Sequence, residues 1–475
     1  MPNPEKPIVF VPGVPGSELH HAEEGHKLFF RYRDIDSTRW KRENLDLIKG
    51  PDDPEDPGPV TAGPAIRRYF RGETLVDLAH GKQAESLYDL LRRIGYRRKS
   101  DKIREAPWDW RLPLDHPSSQ EAVLETIREL ADQEDRPVVI LAHGAGGLAV
   151  RAALESEPEI VDRIDSLVAL GVPWAGTPDV LGWLGYHRKF VPLDKKTTDK
   201  VLTTWWSLWD LVPPDPESTD LTDEEGDLGL FTVEGEPASP LTVEKWISTK
   251  KYAPRKARAT SAHERLGNRT PELDLGDREL TIWNLVGWGS QTLPSAFLET
   301  DDEGNVSIEL PETTADGDGI VPRRSAAWIR GDGVRTFFVP LGGFQPVPHG
   351  TLWRARSAQE MLRRILEDDT VSFAHVFSAV DHTDSEEDTA SVRVRLVAQD
   401  EEGKKLEDAE VRILDREEWV PFQEDGRLTV RVHRYRWRHT RSDVRQIRAR
   451  IRWTQWDRER HKDVRLLAEG KPYRK

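Results

Sequence analysis

The segment RPVVILAHGAGGLAVRAAL, Arg136 to Leu154, limits the folds open to this chain more than any other. Val138, Val139, Ile140 and Leu141 run without a polar alternate, which suits a strand covered on both faces in the middle of a parallel sheet. His143-Gly144-Ala145-Gly146-Gly147 then turns the chain sharply, and good helix formers return at helical spacing from Leu148 to Leu154. A buried strand, a tight glycine turn and a helix therefore follow one another.

Related patterns flank this unit. Pro7 to Val11 reads as a short buried strand, and Pro12-Gly13-Val14-Pro15-Gly16-Ser17 turns out of its carboxyl end, where parallel sheets present ligands. Gly13 and Gly16 allow the backbone close to a substrate, so that its amides can hold an oxyanion; an ordinary turn is the alternative. Residues 31 to 75 are polar, and Pro51 to Pro59 reads as a solvated loop. Ala84 to Gly95 forms an amphipathic helix with Leu87, Leu90, Leu91 and Ile94 on one face. Asp101 to Arg104 leads into Ala106-Pro107-Trp108-Asp109-Trp110-Arg111, and a second helix follows from Ser118 to Gln133, with Ser118 or Ser119 as N-cap. Ile164 to Leu170 is another buried strand, leaving through Gly171-Val172-Pro173-Trp174-Ala175-Gly176-Thr177-Pro178. Alternation of this kind implies a doubly wound, mostly parallel sheet with right-handed crossovers.

Residues from about 180 to 280 interrupt the alternation with Trp205, Trp206, Leu208 and Trp209, an acidic loop at Asp220 to Asp227 and a basic loop at Lys250 to Arg258. An insertion of that length reads as a cap, whose tryptophans either meet an apolar substrate or form the cap's own core. The sheet resumes at Leu280 to Gly287. After an acidic hairpin-like stretch, Asp316 to Pro322 sets a carboxylate on a glycine turn, Val334 to Pro340 is a strand, Pro348-His349-Gly350 lies on the following loop, and Ser357 to Leu366 is a helix. These elements make residues 1–370 one α/β domain. From Val371 the period becomes two, as in Val392 to Leu396 and Leu428 to Val432, with turns at Glu402-Gly403 and Asp425-Gly426. Residues 371–475 therefore read as an antiparallel β-sandwich of about 100 residues. Its last strands are rich in arginine, with Trp437, Trp453 and Trp456 interleaved; this is the outer face of ordinary strands or a contact with a peripheral membrane or a protein partner.

Composition narrows the function classes. A net charge of -15 opposes a nucleic-acid partner, because phosphate binding needs a basic field. The absence of cysteine among 475 residues excludes disulfides, thiolate metal sites and a thiol nucleophile. No histidine and acid pattern has metal-ligand spacing, and no glycine loop of the phosphate-cradling kind opens a helix with its lysine, so neither a metal nor another cofactor is expected. The first residues show no basic leader followed by an apolar core, and no apolar run reaches the roughly 20 residues that span a bilayer, which makes the cytoplasm the expected location.

Six segments, VPGVPGSEL (Val11 to Leu19), APWDWR (Ala106 to Arg111), AHGAGG (Ala142 to Gly147), ALGVPWAGTP (Ala169 to Pro178), DGDGIVP (Asp316 to Pro322) and the late His349, together resemble the lecithin:cholesterol acyltransferase and lysosomal phospholipase family of α/β-hydrolases. The resemblance covers about residues 7 to 366 and implies an acyl ester or lipid-like substrate. It places the nucleophile at Gly144, the acid at Asp318, the general base at His349 and the oxyanion hole at the amides of Val14 and Ala145; Trp108, Trp174 and Trp205 fall where substrate would be bound. The family's G-x-S-x-G type turn carries a serine where this chain has Gly144. Glycine has no side-chain oxygen, so no acyl-enzyme can form there. Where a triad has lost its nucleophile, the oxyanion hole and binding alone retain roughly 10³ to 10⁴ over water. Two readings follow: an impaired esterase or O-acyltransferase, or a non-catalytic protein that binds an acylated ligand or partner. Ser17 and Ser290 are poor substitutes, Ser17 because it lies in the loop expected to supply amides.

Overall fold

The computed structural model describes residues 6–29, 47, 49–53, 55–56, 58–66, 83–96, 101–185, 201–213, 222–223, 226–227, 230–233, 236–237, 258–262, 264, 269–300, 306–314, 316–341, 347, 349–367, 375–381, 391–399, 408–413, 418–422, 427–433, 438–439, 445–455 and 458–468. Pro348, most of the basic loop before Arg258, the turns at Glu402-Gly403 and Asp425-Gly426, Trp437 and Trp456 lie outside the described residues.

In chain order the elements that position the site are β1 (Ile8–Val11), β2 (Ser17–His21), β3 (Lys27–Phe29), β4 (Val60–Ala65), α1 (Gln83–Ile94), β5 (Ile103–Glu105), α2 (Pro117–Glu134), β6 (Val138–His143), α3 (Gly146–Ser156), β7 (Ile164–Leu170), β8 (Ile282–Trp288), β9 (Val334–Pro340) and α4 (Arg356–Leu366). Six of the strands form one sheet in the order β9-β8-β7-β6-β1-β5, every pair parallel. Register follows from the apolar pattern: Val9 pairs with Ile140, Ile140 with Leu167, and Leu285 with both Leu170 and Phe337.

Strand alternation divides these side chains between two cores. Val9, Val11, Ile140, Ala142, Leu167 and Ala169 pack with Val123, Ile127 and Leu130 of α2 and with Leu148, Ala149 and Ala153 of α3. Ile8, Phe10, Val139, Leu141, Val168 and Leu170 pack on the opposite face with Leu87, Leu90 and Leu91 of α1 and with Met361 and Leu362 of α4. Burial of each large aliphatic side chain contributes about 1.5 to 3 kcal/mol, so continuous apolar strands are stable only because both faces are covered. This is a doubly wound parallel α/β sheet, with β6, the strand of the opening segment, at its centre.

Two local features depart from the sequence expectation. The polar stretch after Pro59 contains β4, which joins β2 and β3 in a small antiparallel sheet. Its sequence, VTAGPA, has little apolar alternation to announce a strand. Helix α2 is capped by His116 rather than Ser118 or Ser119: the imidazole Nδ1 accepts from the Ser118 amide at 3.1 Å, Pro117 takes the first turn, and Ser119 is buried.

The interrupting region includes short helices at Asp179–Gly185 and Trp206–Asp210. The acidic hairpin-like stretch forms strands Ala296–Thr300 and Val306–Glu309, paired antiparallel. Beyond residue 375 the strands form antiparallel sheets: His375–Asp381, Ser391–Gln399 and Arg427–His433 make one, and Glu410–Ile413, Arg445–Gln455 and Arg458–Ala468 belong to another. Among the described residues no helix is long and apolar enough to cross a membrane.

Burial holds the His116 imidazole below its ordinary value of 6.5, so folding favours the neutral ring. As pH falls through that value the unfolded chain takes up the proton first, and stability declines. Protonation also removes the Nδ1 acceptor that caps α2. His116→Asn keeps a capping oxygen and does not titrate; its urea midpoint is expected to fall less than that of the parent as pH drops below 6.5. Parallel pH profiles for the two chains would contradict this.

Candidate functional site

The turn after β6 is built by glycines that let three segments approach one another. Gly144 has φ +52°, in the left-handed region that favours glycine, and its amide donates to the Leu170 carbonyl at the end of β7 at 3.0 Å. A Cβ at Gly146 would stand 2.5 Å from the Pro12 carbonyl oxygen, so the amino end of α3 is pressed against the exit of β1. A Cβ at Gly13 would stand 2.9 Å from the His143 carbonyl oxygen and 3.7 Å from the Ala145 amide nitrogen. The loop carrying Val14 is thereby seated against the turn carrying Ala145.

The APWDWR segment fixes that loop from behind. The Trp108 indole donates to the Pro12 carbonyl at 2.7 Å, the Trp108 amide to Ser17 Oγ at 3.2 Å, and the Trp110 indole to the Ser17 carbonyl at 2.9 Å. Asp109 and Arg111, both buried, pair with each other, Arg111 Nε donating to Asp109 Oδ1 at 2.9 Å.

Asp318 and His349, distant in sequence, meet beside the turn. Asp318 is fully buried; its Oδ1 accepts from the amides of Ile320 at 3.1 Å and Val321 at 2.8 Å, and its Oδ2 accepts from His349 Nδ1 at 2.6 Å. The His349 amide donates to the Asp318 carbonyl at 2.9 Å, so main chain and side chain hold the same pair. His349 opens a short 3₁₀ segment, His349–Arg354, instead of lying on a plain loop. With Nδ1–H committed to Asp318, the neutral ring turns the Nε2 lone pair toward Gly144. A Cβ built on Gly144 would stand 3.0 Å from His349 Nε2 and 3.5 Å from Cε1, and no other described residue beyond its chain neighbours comes within 4 Å of that point.

Several supporting residues carry no chemical signature of their own. Gly171, at φ +59°, lies so close to the pair that a Cβ there would stand 2.8 Å from Asp318 Oδ2 and 3.2 Å from His349 Nδ1. A Cβ at Gly287 would stand 2.7 Å from Asp318 Cβ. Thr292, fully buried, accepts from the Gly319 amide at 2.8 Å and so steadies the turn that carries the acid. Thr177 ties the turn after β7 to the same place by donating to the Ile320 carbonyl at 2.6 Å. His143 donates from Nε2 to the His349 carbonyl at 3.1 Å, and the two rings lie 4.8 Å apart. Gly171 and Thr177 stand within ALGVPWAGTP, whose glycine turn was visible in sequence; nothing in sequence distinguished Thr292.

Three residues expected to meet substrate belong to the core. Trp108, Trp174 and Trp205 are at most 1% exposed. Trp108 braces the Pro12 to Ser17 loop, Trp174 donates its indole N–H to Asn284 Oδ1 at 3.1 Å, and Trp205 packs edge-on against Trp110 at 4.4 Å. Buried tryptophan needs a partner for its N–H, and the satisfied donors of Trp108 and Trp174 mark them as internal struts. Ser17 is likewise fully buried, with its Oγ held by Trp108, while Ser290 Oγ donates to the Val347 carbonyl at 3.4 Å.

Residues 71–217 match the family model for lecithin:cholesterol acyltransferase. The lysosomal phospholipase A and acyltransferase of Mus musculus is 36% identical over 90 residues, 18% of this chain and 22% of the mouse protein. The Bos taurus protein of the same description is 34% identical over 104 residues, 21% of this chain and 25% of the bovine one. The matched segment thus spans about a fifth to a quarter of the length of these relatives. A lipase of Bacillus licheniformis in its mature form aligns with 77% of this chain and 94% of its own, at 11% identity and a TM-score of 0.31. Over residues 71–217 this chain is similar to the lecithin:cholesterol acyltransferase family.

Proposed function

We propose that this protein acts on acyl esters of lipid-like molecules by direct attack of water, without a covalent intermediate. The observation that carries the reading is the retained Asp318–His349 pair, at 2.6 Å, directed at a glycine turn that carries no nucleophilic oxygen. In this reading Gly144 stands at the nucleophile position. His349 Nε2 removes a proton from a water molecule, whose oxygen adds to the ester carbonyl; the amides of Ala145 and Val14 receive the oxyanion. As the tetrahedral adduct collapses, the carbon–alkoxide bond breaks and the imidazolium returns its proton to the leaving oxygen. Asp318 holds the tautomer and balances the charge of the imidazolium. The antiparallel sheets beyond residue 375, read as a β-sandwich, serve as the interaction module of the same protein.

A second reading, a non-catalytic protein that binds an acylated ligand, draws support from the 3.0 Å separation of Nε2 from the Cβ position of residue 144. A serine there requires the ring to yield by a few tenths of an ångström, as if the site has closed around glycine.

Short p-nitrophenyl esters separate the two. The hydrolase reading predicts steady release without a burst and a loss of about 10² to 10⁴ in rate in His349→Ala, the range of general base catalysis. An inactive parent beside a Gly144→Ser variant that shows a burst would contradict it and favour the binding protein. Gly171→Ala tests the packing of the pair: left-handed backbone costs a non-glycine residue about 1 to 2 kcal/mol, and the new methyl displaces Asp318 or His349. Urea unfolding is expected to register at least that loss, with hydrolysis falling alongside. Full stability and full activity in Gly171→Ala would refute the geometry.

A further inference from the structure

We infer that the site at Gly144 is a receptor for a free carboxylate, the acid of an acyl chain, and that it binds this anion together with a proton. The inference rests on the acyl-ester reading for the identity of the chain attached to the carboxylate, and on independent geometry for the carboxylate itself. His349 is 9% exposed, its Nδ1 is committed to Asp318, and its Nε2 faces the bare α-carbon of Gly144. The residues that follow Gly144 begin α3, an eleven-residue helix with Ala145 as its N-cap and no side-chain cap of its own. Unpaired amides at a helix start attract anions.

A carboxylate has two oxygens on one carbon. One can lie where a nucleophile's oxygen would stand, against Nε2, while the other faces the amides of Ala145 and Val14. A serine would put its Cβ 3.0 Å from Nε2 and its Oγ in the path of the first oxygen, whereas glycine places no side-chain atom there. An ester oxygen bearing an alkyl group accepts poorly from Nε2 and carries no charge; a carboxylate accepts strongly once that nitrogen holds a proton. The ring would then stand as imidazolium between two carboxylates, Asp318 and the ligand. Among the described residues, the titratable groups that meet the ring are Asp318, through Nδ1, and His143, whose ring lies 4.8 Å away and whose Nε2–H is spent on the His349 carbonyl. Proton uptake is thus required for charge balance and comes from solvent.

Isothermal titration of octanoate into the full chain, in mildly alkaline Tris and again in HEPES, reads affinity and proton uptake together. The expected result is saturable binding with about one proton taken up per carboxylate. Octanol, with the same chain and no charge, should bind at least tenfold more weakly. His349→Gln should weaken octanoate at least tenfold and abolish the proton uptake, and Gly144→Ser should weaken it by crowding the same point. Circular dichroism confirms that each variant is folded. No octanoate binding by the parent, or binding and proton uptake unchanged in folded His349→Gln, would overturn the inference. Ester hydrolysis on the same samples keeps the two conclusions apart: binding without hydrolysis contradicts only the hydrolase reading, and hydrolysis without octanoate binding contradicts only this one.

Discussion

The hydrogen bond between Asp318 Oδ2 and His349 Nδ1 is the constraint around which the carboxyl edge of the sheet is arranged. A fully buried carboxylate is costly unless its oxygens are filled. Here two amides from its own turn fill Oδ1 and an imidazole fills Oδ2. Because the carboxylate is satisfied by groups on two loops, neither loop can move without stranding a charge, and the imidazole is held in one orientation. Thr292 and Thr177 brace the acid's turn from two further segments.

Glycines make this convergence sterically feasible. Three strands, β6, β7 and β8, end beside the pair, and each supplies a glycine whose Cβ would crowd Asp318 or His349. At Gly144 it is the Nε2 edge of His349, at Gly171 the contact of Asp318 with His349, and at Gly287 the Asp318 side chain. Gly146 and Gly13 play the same part for the turn and the facing loop. Parallel strands bring their carboxyl ends to one edge, and small residues at those ends let Asp318 and His349 approach within hydrogen-bonding distance.

Much of this was legible in sequence because it follows from periodicity. The runs at Val138 to Leu141, Ile164 to Leu170 and Val334 to Pro340 match observed strands; the first is apolar and buried throughout, whereas the last, at the sheet edge, alternates, burying Phe337 and Val339 and leaving Arg335 half-buried. The meeting of Asp318 with His349 was readable only through resemblance, as local pattern holds no information about a partner 31 residues away. Tryptophan was misleading at Trp108, Trp174 and Trp205: an amphipathic ring suits a ligand wall and a buried strut equally well, and only the partner of its N–H decides between them. The strand Val60–Ala65 and the cap at His116 escaped notice for a related reason. Both depend on tertiary neighbours, β2 for the strand and burial for the imidazole, rather than on local propensity.

The account stands on one fixed tautomer, with the proton on Nδ1 of His349 and the lone pair of Nε2 facing Gly144. Nitrogen-15 spectra of imidazole-labelled protein at neutral pH test this directly. A slowly exchanging, strongly deshielded Nδ1–H resonance that is assigned to His349 and disappears in Asp318→Ala is the predicted result. A His349 ring that carries its proton on Nε2, or exchanges freely with water, would contradict the account.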